Sequence, residues 1–407
     1  MFDHIELSKR MRRYIKDGRY QVAMTIMFGV FLTFLVLVLV MIVNDHFKKF
    51  ILYENLQNSP LNAFLPFYMS NISKLNSNHR CFSSNHPRFN DSNTTYDLRF
   101  EWFSPKDIWH SMSDQELMWR ASMVPHLIEY PFNRVPKVAF MFLTKGRLPL
   151  GPLWEMFFKG HEGLFTIYIH TSPEFGREPP ESSVFYKRRI PSKEVQWGNI
   201  TMIDAERRLL ANALLDLLNE RFVLLSETCI PLFNFTTIYN HLINSNHSFL
   251  NSFDDTRRIG RGRYNPRMSP AITLPYWRKG SQWFEASRKL AINIISDVTY
   301  YPIFRNHCMP PCYVDEHYFP TLVNIICPNL TSNRTVTWTD WSRGGSHPMT
   351  FNRNDVTEEF LERIRYGSNC TYNGEMSNVC FLFARKFHPS TLRPLLRIAP
   401  KLFGFNV

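Results

Sequence analysis

The segment Lys137-Val-Ala-Phe-Met-Phe-Leu-Thr144 is apolar at almost every position and shows no alternation with polar residues. A strand with one wet face alternates; a strand buried on both faces does not. This run therefore predicts a parallel strand inside a sheet that helices cover on both sides. The chain after it keeps to that plan. Pro149–Lys159 reads as a helix with proline near its start, and Leu164–His170 as a second buried strand. Asp204 reads as the N-cap of a helix whose Leu209, Leu210, Ala213, Leu214, Leu217 and Leu218 share one face. Arg221–Ser226 is a third strand, Phe235–Ile243 a further helix, and Ser248–Ser252 another strand. Strand–helix alternation predicts an α/β domain with a mainly parallel sheet over residues 134–407. Ligands of such sheets bind outside the carboxyl ends of the strands, which places His170 and Glu227 near a site.

The N-terminal part sets the compartment. Val22 to Val43 is uncharged and apolar. As a helix it would span about 33 Å, enough to cross a bilayer core. It is too long for the apolar part of a cleaved signal peptide and ends in Asn44-Asp45, without a small-residue cleavage site. Lys9, Arg10, Arg12, Arg13, Lys16 and Arg19 precede it, and Lys48 and Lys49 follow. The charge bias predicts a cytosolic tail (1–21), a transmembrane signal-anchor helix (22–43) and everything else across the membrane. N-x-S/T triplets headed by Asn71, Asn90, Asn93, Asn199, Asn234, Asn246, Asn329, Asn333 and Asn369 fit a lumenal body. Residues 44–133, rich in Asn, Ser, His and Pro, read as a stem. Within it, Ser113-Asp-Gln-Glu116 has capping-box spacing before Leu117, so a short helix packs on the domain edge.

The formal charge of +12 predicts attraction to anions. A lumenal body removes nucleic acid from the partner list. Of the seven cysteines, none form a C-x2-C pair, which argues against a zinc ribbon. The odd count leaves a thiol unpaired within the chain; Cys308 and Cys312 pair with each other or with more distant partners.

No Gly-rich phosphate loop, G-x-S-x-G elbow or H-E-x-x-H motif is present. What stands out is Pro311-Cys-Tyr-Val-Asp315-Glu316-His317-Tyr-Phe-Pro-Thr-Leu322. A carboxylate among aromatic and apolar residues loses solvation, and its pKa rises towards the range of a general base. The bland alternative is an acidic helix start. Asp254-Asp255 would suit Mg²⁺ or Mn²⁺ on a diphosphate; equally, it is a turn feeding Arg257, Arg258, Arg261, Arg263 and Arg267, themselves either a solvated loop or an anion site. Trp338 and Trp341 either offer faces to a sugar ring or belong to the core. Arg385 and Lys386 lie among apolar residues, where their charges otherwise snorkel to water.

Four segments in order resemble the core-2/I-branching β-1,6-N-acetylglucosaminyltransferase family, in its plant-type branch. They are Leu224-Leu-Ser-Glu-Thr-Cys-Ile-Pro-Leu232, Trp277-Arg-Lys-Gly-Ser-Gln-Trp-Phe284, Cys312-Tyr-Val-Asp-Glu-His-Tyr318 and Leu382-Phe-Ala-Arg-Lys-Phe387. The resemblance spans about residues 135–405. It implies a GT-A-like fold, a UDP-sugar donor and inverting transfer, with Glu316 as the base that takes the acceptor hydroxyl proton. Members of the animal branch work without metal and neutralise the leaving diphosphate with basic side chains. Their lysine matches Lys386, and their upstream arginine falls near Arg365 with different spacing. Trp341 or Trp338 supplies the acceptor's aromatic contact; Asp315, Glu227 and Ser281, in the matching segments, are further candidates for substrate contact. The acid that follows the second strand in animal members has no match after Ile169-His170-Thr171, and the cysteine pattern is reduced.

The expectation is a Golgi type II glycosyltransferase of the plant cell-wall kind. It needs no cofactor and moves a GlcNAc-type sugar from a UDP-sugar to a hydroxyl of a glycan or glycoprotein. Its rivals are a metal-dependent transferase centred on Asp254-Asp255, a non-catalytic glycan-binding protein on the same fold, and a glycosidase using Glu227 and Glu316.

Overall fold

The computed structural model describes residues 108–125, 130 and 134–405. The basic tail, the expected span Val22–Val43, most of the stem, Cys81 and the sequons Asn71, Asn90 and Asn93 lie outside them. Among the described residues no helix is long and apolar enough to cross a membrane.

Helix α1 (Asp114–Ala121) has Ser113 as its N-cap, whose Oγ accepts from the Glu116 amide at 3.2 Å. Leu117 and Ala121 are buried in the main core, so this helix from the expected stem packs on the domain as predicted. Next come β1 (Lys137–Leu143), α2 (Gly151–Phe158), β2 (Phe165–His170), α3 (Ile200–Leu214) and β3 (Asn219–Ser226). The short β4 (Ile230–Pro231), α4 (Phe235–Ile243), β5 (Glu285–Ser287), α5 (Arg288–Ile295), α6 (Tyr301–His307) and α7 (Tyr318–Ile326) follow. The chain closes with β6 (Thr337–Thr339), α8 (Glu358–Tyr366), β7 (Cys370–Tyr372), β8 (Glu375–Ser377), β9 (Phe383–Arg385) and α9 (Leu392–Leu402).

The main sheet has the order β2-β1-β3-β5. Its first three strands are parallel, with Phe140 level with Ile167 on one side and Val223 on the other; β5 is an antiparallel edge. Both faces of β1 are buried, as its unbroken apolar run requires. Ala139 and Met141 enter the core under α3, α5 and α7, while Val138, Phe140 and Phe142 enter the one under α2, α4 and α9. Phe140 meets Trp154, Phe157 and Phe158 edge to face, with centroids 4.9–6.3 Å apart. The fold is therefore mixed α/β with a mainly parallel central sheet. A smaller, separate sheet has the order β4-β9-β6, and a β7–β8 hairpin carries Cys370 of the Cys370–Cys380 disulfide.

Two expectations need correction. Helix α3 starts at Ile200 with Asn199 in the N-cap position. Asp204 lies inside it, accepting from the Tyr301 hydroxyl, and Leu217 and Leu218 lie beyond its end. The apolar stripe outruns the helix because the chain turns at Asp216 straight into β3 and still buries Leu218. Ser248–Ser252 is not a ladder strand. The edge of β3 is taken by β5, so Ser248, Phe249 and Phe253 form only single bridges to Thr331, Glu285 and Lys279. Cys308 pairs with Cys312, one of the two alternatives the spacing leaves open, and Cys229 is a buried free thiol.

Candidate active site

Glu316 ends a short 3-10 turn, Val314–Glu316, immediately ahead of α7. The Cys308–Cys312 disulfide fixes the chain before it. Tyr313 then adopts φ 51°, a left-handed conformation costly for a residue with a bulky side chain. What holds it there is packing: its ring meets Trp197 at 4.9 Å, and Arg263 lies over it at 4.6 Å. Gly198 leaves room for this ring, because a Cβ there would lie 3.1 Å from Tyr313 Cδ1.

The segment 277–283 forms the other wall. The Gly280 amide donates to the Glu316 carbonyl at 2.9 Å. A Cβ on Gly280 would stand 2.2 Å from the Asn251 carbonyl oxygen and 2.7 Å from Pro320, so only glycine fits. His317, fully buried, stacks on Trp277 at 4.5 Å, and its Nδ1 lies 2.8 Å from the Arg278 carbonyl. Beneath, Arg207 ties α3 to the Tyr318 hydroxyl and to the carbonyls of Ile295 and Asp297.

Two cations hold Glu316. Arg263 Nη1 donates to Oε2 at 2.6 Å, and Lys279 Nζ donates to the same oxygen. No side chain among the described residues bonds Oε1, and it is not a buried atom, so it is free for a substrate. Burial raises this carboxyl's pKa, but Lys279 and Arg263 together outweigh that and hold it below the usual carboxylate value. The expected rise belongs to its neighbour. Asp315 is 6% exposed, its Oδ1 has no partner, and burial with the Glu316 charge pushes it up to about 6. Behind it, Glu206 of α3 is fully buried; desolvation raises it well above the carboxylate range despite a 2.8 Å bond from Gln282.

The same segment reaches a second cluster. Trp283, four residues beyond Lys279, carries the Arg385 guanidinium 3.9 Å above its ring. Four residues span at most roughly 14 Å, so the backbone under the Glu316 lysine and the backbone under Arg385 lie within that reach of each other. Arg385 and Lys386 leave β9 beside the carboxyl ends of β1 and β3. Lys386 is lowered by burial and by repulsion from Arg385 and Lys145, with Glu227 acting the other way. Arg385 is lowered by burial, again opposed by Glu227. Neither forms an ion pair within 4 Å among the described residues, leaving two fixed, half-buried cations.

The remaining candidates sort by their partners. Arg365 does not join the dibasic pair. It is 8% exposed, donates to the Leu402 carbonyl and Glu362, and lies over Phe233 at 4.6 Å, so it anchors α9. On α8 its helical phase points it into the core. Trp338 stacks on Phe351 and meets Phe360, whereas Trp341 is 48% exposed, so Trp341 is the one whose face is open. The Ser281 Oγ accepts from the Trp283 amide and shapes the turn between the two clusters. His170 is not at a site opening: it is 1% exposed and 3.0 Å from Arg208, and burial with that cation lowers it to about 3. Asp255 and Asp254 are held by Arg257 and Arg261, whose Nη2 atoms donate to them at 2.8 and 2.5 Å. Of the described sequons, Asn246, Asn329, Asn333 and Asn369 are exposed; Asn199 and Asn234 are half-buried in helix N-cap positions. Sequence reasoning missed Lys279 and Trp197, neither of which carries a local signal of its contact with Glu316 or Tyr313.

A family model described as Core-2/I-Branching enzyme matches residues 138–365, from β1 through Arg365 and across Glu316. The chain belongs to this family. It is also 39% identical, over 298 residues, to the glycosyltransferase BC10 of Oryza sativa subsp. japonica, an alignment covering 62% of this chain and 73% of that protein. With the family comes the reaction class: the chain is a glycosyltransferase.

Proposed function

We propose that this enzyme is an inverting, metal-independent transferase of GT-A-like fold that moves a GlcNAc-type sugar from UDP to a hydroxyl of a glycan or glycoprotein. Glu316 Oε1 takes the hydroxyl proton as the acceptor oxygen attacks the anomeric carbon. Arg385 and Lys386 stabilise the charge that develops on the departing diphosphate. Trp341 offers its face to the acceptor. What supports this reading is an ionised carboxylate with one open oxygen and, on the segment Lys279–Trp283 that borders it, the approach of Arg385, which with Lys386 has no ion-pair partner among the described residues.

Arginine partners on Asp254 and Asp255 supply the positive charge that a metal would bring there, which favours metal independence over the rival centred on those acids. A glycosidase would need a protonated acid at neutral pH, and Glu316 is shifted the wrong way for that role. In the cell we place the enzyme in the Golgi membrane, anchored by residues 22–43, with its catalytic domain lumenal.

One observation favours a second reading of the base. Asp315, at about 6, is the more basic carboxylate, though it is nearly sealed from solvent. UDP release from a panel of UDP-sugars, run with EDTA, tests the main proposal. Turnover of one donor that survives chelation supports it; turnover only on adding Mn²⁺ or Mg²⁺ contradicts it.

A further inference from the structure

The segment between β6 and Phe351 is fastened to the dibasic strand at both ends. Thr339 is level with Arg385 in the β6–β9 ladder, and the Phe351 amide donates to the Lys386 carbonyl at 2.8 Å. Between them, the Met349 amide closes the loop onto the Asp340 carbonyl at 2.8 Å. Gly344 and Gly345 take φ of 64° and 94° with open space around them. The loop carries one imidazole, His347, which is exposed and meets the Trp197 ring at 5.1 Å. Trp197 in turn meets Tyr313, under the arginine that holds Glu316. His347 therefore lies on a loop pinned to the dibasic strand and touches the aromatic pair that packs under the Glu316 arginine.

We propose that His347 is a further ligand of the donor's diphosphate, contributed by the 340–349 loop and binding as the imidazolium. The inference rests on the reading that Arg385 and Lys386 take the diphosphate. Without a donor, burial and the charges of Lys386 and Arg385 keep the imidazole below its usual pKa, so it is neutral near pH 7. The charged groups bearing on it are Lys386 and Arg385 from β9; its own loop adds Asp340 and Arg343, and its ring partner Trp197 is uncharged. A diphosphate placed on the two cations reverses the local field. The imidazole then takes up a proton and donates a charge-assisted hydrogen bond to a phosphate oxygen. No covalent step is involved; one proton moves from solvent to the ring as the donor binds.

The test is calorimetric titration of UDP into the full-length protein at about pH 5.5 and about pH 8, values that bracket histidine's range. The wild type is compared with His347→Gln and Lys386→Ala. The titration of UDP's own terminal phosphate is common to all three and cancels in the comparison. His347 is exposed, so the glutamine variant keeps the fold. At the lower pH the wild type is expected to bind about tenfold tighter than His347→Gln, the loss of one charged hydrogen bond, and within about twofold at the higher pH. Lys386→Ala binds weakly at both. If His347→Gln follows the wild type at both pH values while Lys386→Ala is weak, His347 is no ligand. If Lys386→Ala binds UDP as the wild type does, the diphosphate assignment itself fails, and this inference with it.

Discussion

Replacing Asp315 with Asn removes a charge that the fold opposes. The side chain is nearly sealed, its Oδ1 has no partner, and Glu316 adds a like charge beside it. Together they raise the carboxyl from 3.8 to about 6. The shift is 6 − 3.8 = 2.2 units, or about 3 kcal/mol at 1.36 kcal/mol per unit. The sign follows from which state gives up its proton first. The unfolded chain ionises Asp315 near its ordinary value, and the folded chain only near 6. Stability is therefore lost as pH rises between these values, and the full cost is present above the higher one. Asparagine avoids that cost but brings an amide with unmet hydrogen bonds, about 1–2 kcal/mol at every pH. The variant should thus be less stable than the wild type near pH 4 and more stable near pH 7.5. At roughly 2–4 °C per kcal/mol, the difference in Tm between variant and wild type should swing by about 6–12 °C over that range. Thermal unfolding followed by circular dichroism at the two pH values reads it directly. An offset that does not change with pH would refute the argument.

Gly280→Ala should cost about 1–3 kcal/mol in denaturant unfolding, because its Cβ meets backbone oxygen at 2.2 Å, and should lower kcat by moving Glu316. Trp341→Ala should raise KM for the acceptor with little change in Tm, while Trp338→Ala should lower Tm by several degrees through lost packing on Phe351 and Phe360; both are read by melting curves and acceptor titrations. In Glu316→Gln, the part of the stability that the two cations give this carboxylate disappears. That loss should be constant near neutrality and vanish as pH falls through the depressed pKa, since protonation removes the same charge.

Much of this was readable along the chain, and the unread parts share a physical cause. β1, β2 and β3 announced themselves because strands buried on both faces are apolar without alternation. Helix α1 was marked by Ser113 and Glu116, since an N-cap is a local bond. Asp204 misleads because an acidic residue just ahead of an apolar stripe resembles a cap, whereas α3 starts four residues earlier, just after Gly198 turns the chain with φ 75°. The pKa of Glu316 was misjudged for a different reason. Its apolar neighbours in sequence raise it, but the cations that decide the sign come from 53 and 37 residues away. Arg365 enters only through a differently spaced match to the animal members' arginine, and the packed structure shows its guanidinium committed to Leu402 and Phe233. Long-range charge pairing leaves no period in a sequence, so Lys279 and Trp197 could not be found there.

Single-turnover transfer of labelled sugar by Glu316→Gln, alongside Asp315→Asn, bears most directly on the proposed chemistry. Loss of the general base should slow transfer in Glu316→Gln by about 10²–10⁴-fold while UDP still binds, with Asp315→Asn retaining turnover. Transfer by Glu316→Gln at the wild-type rate, or its abolition in Asp315→Asn alone, would contradict the account.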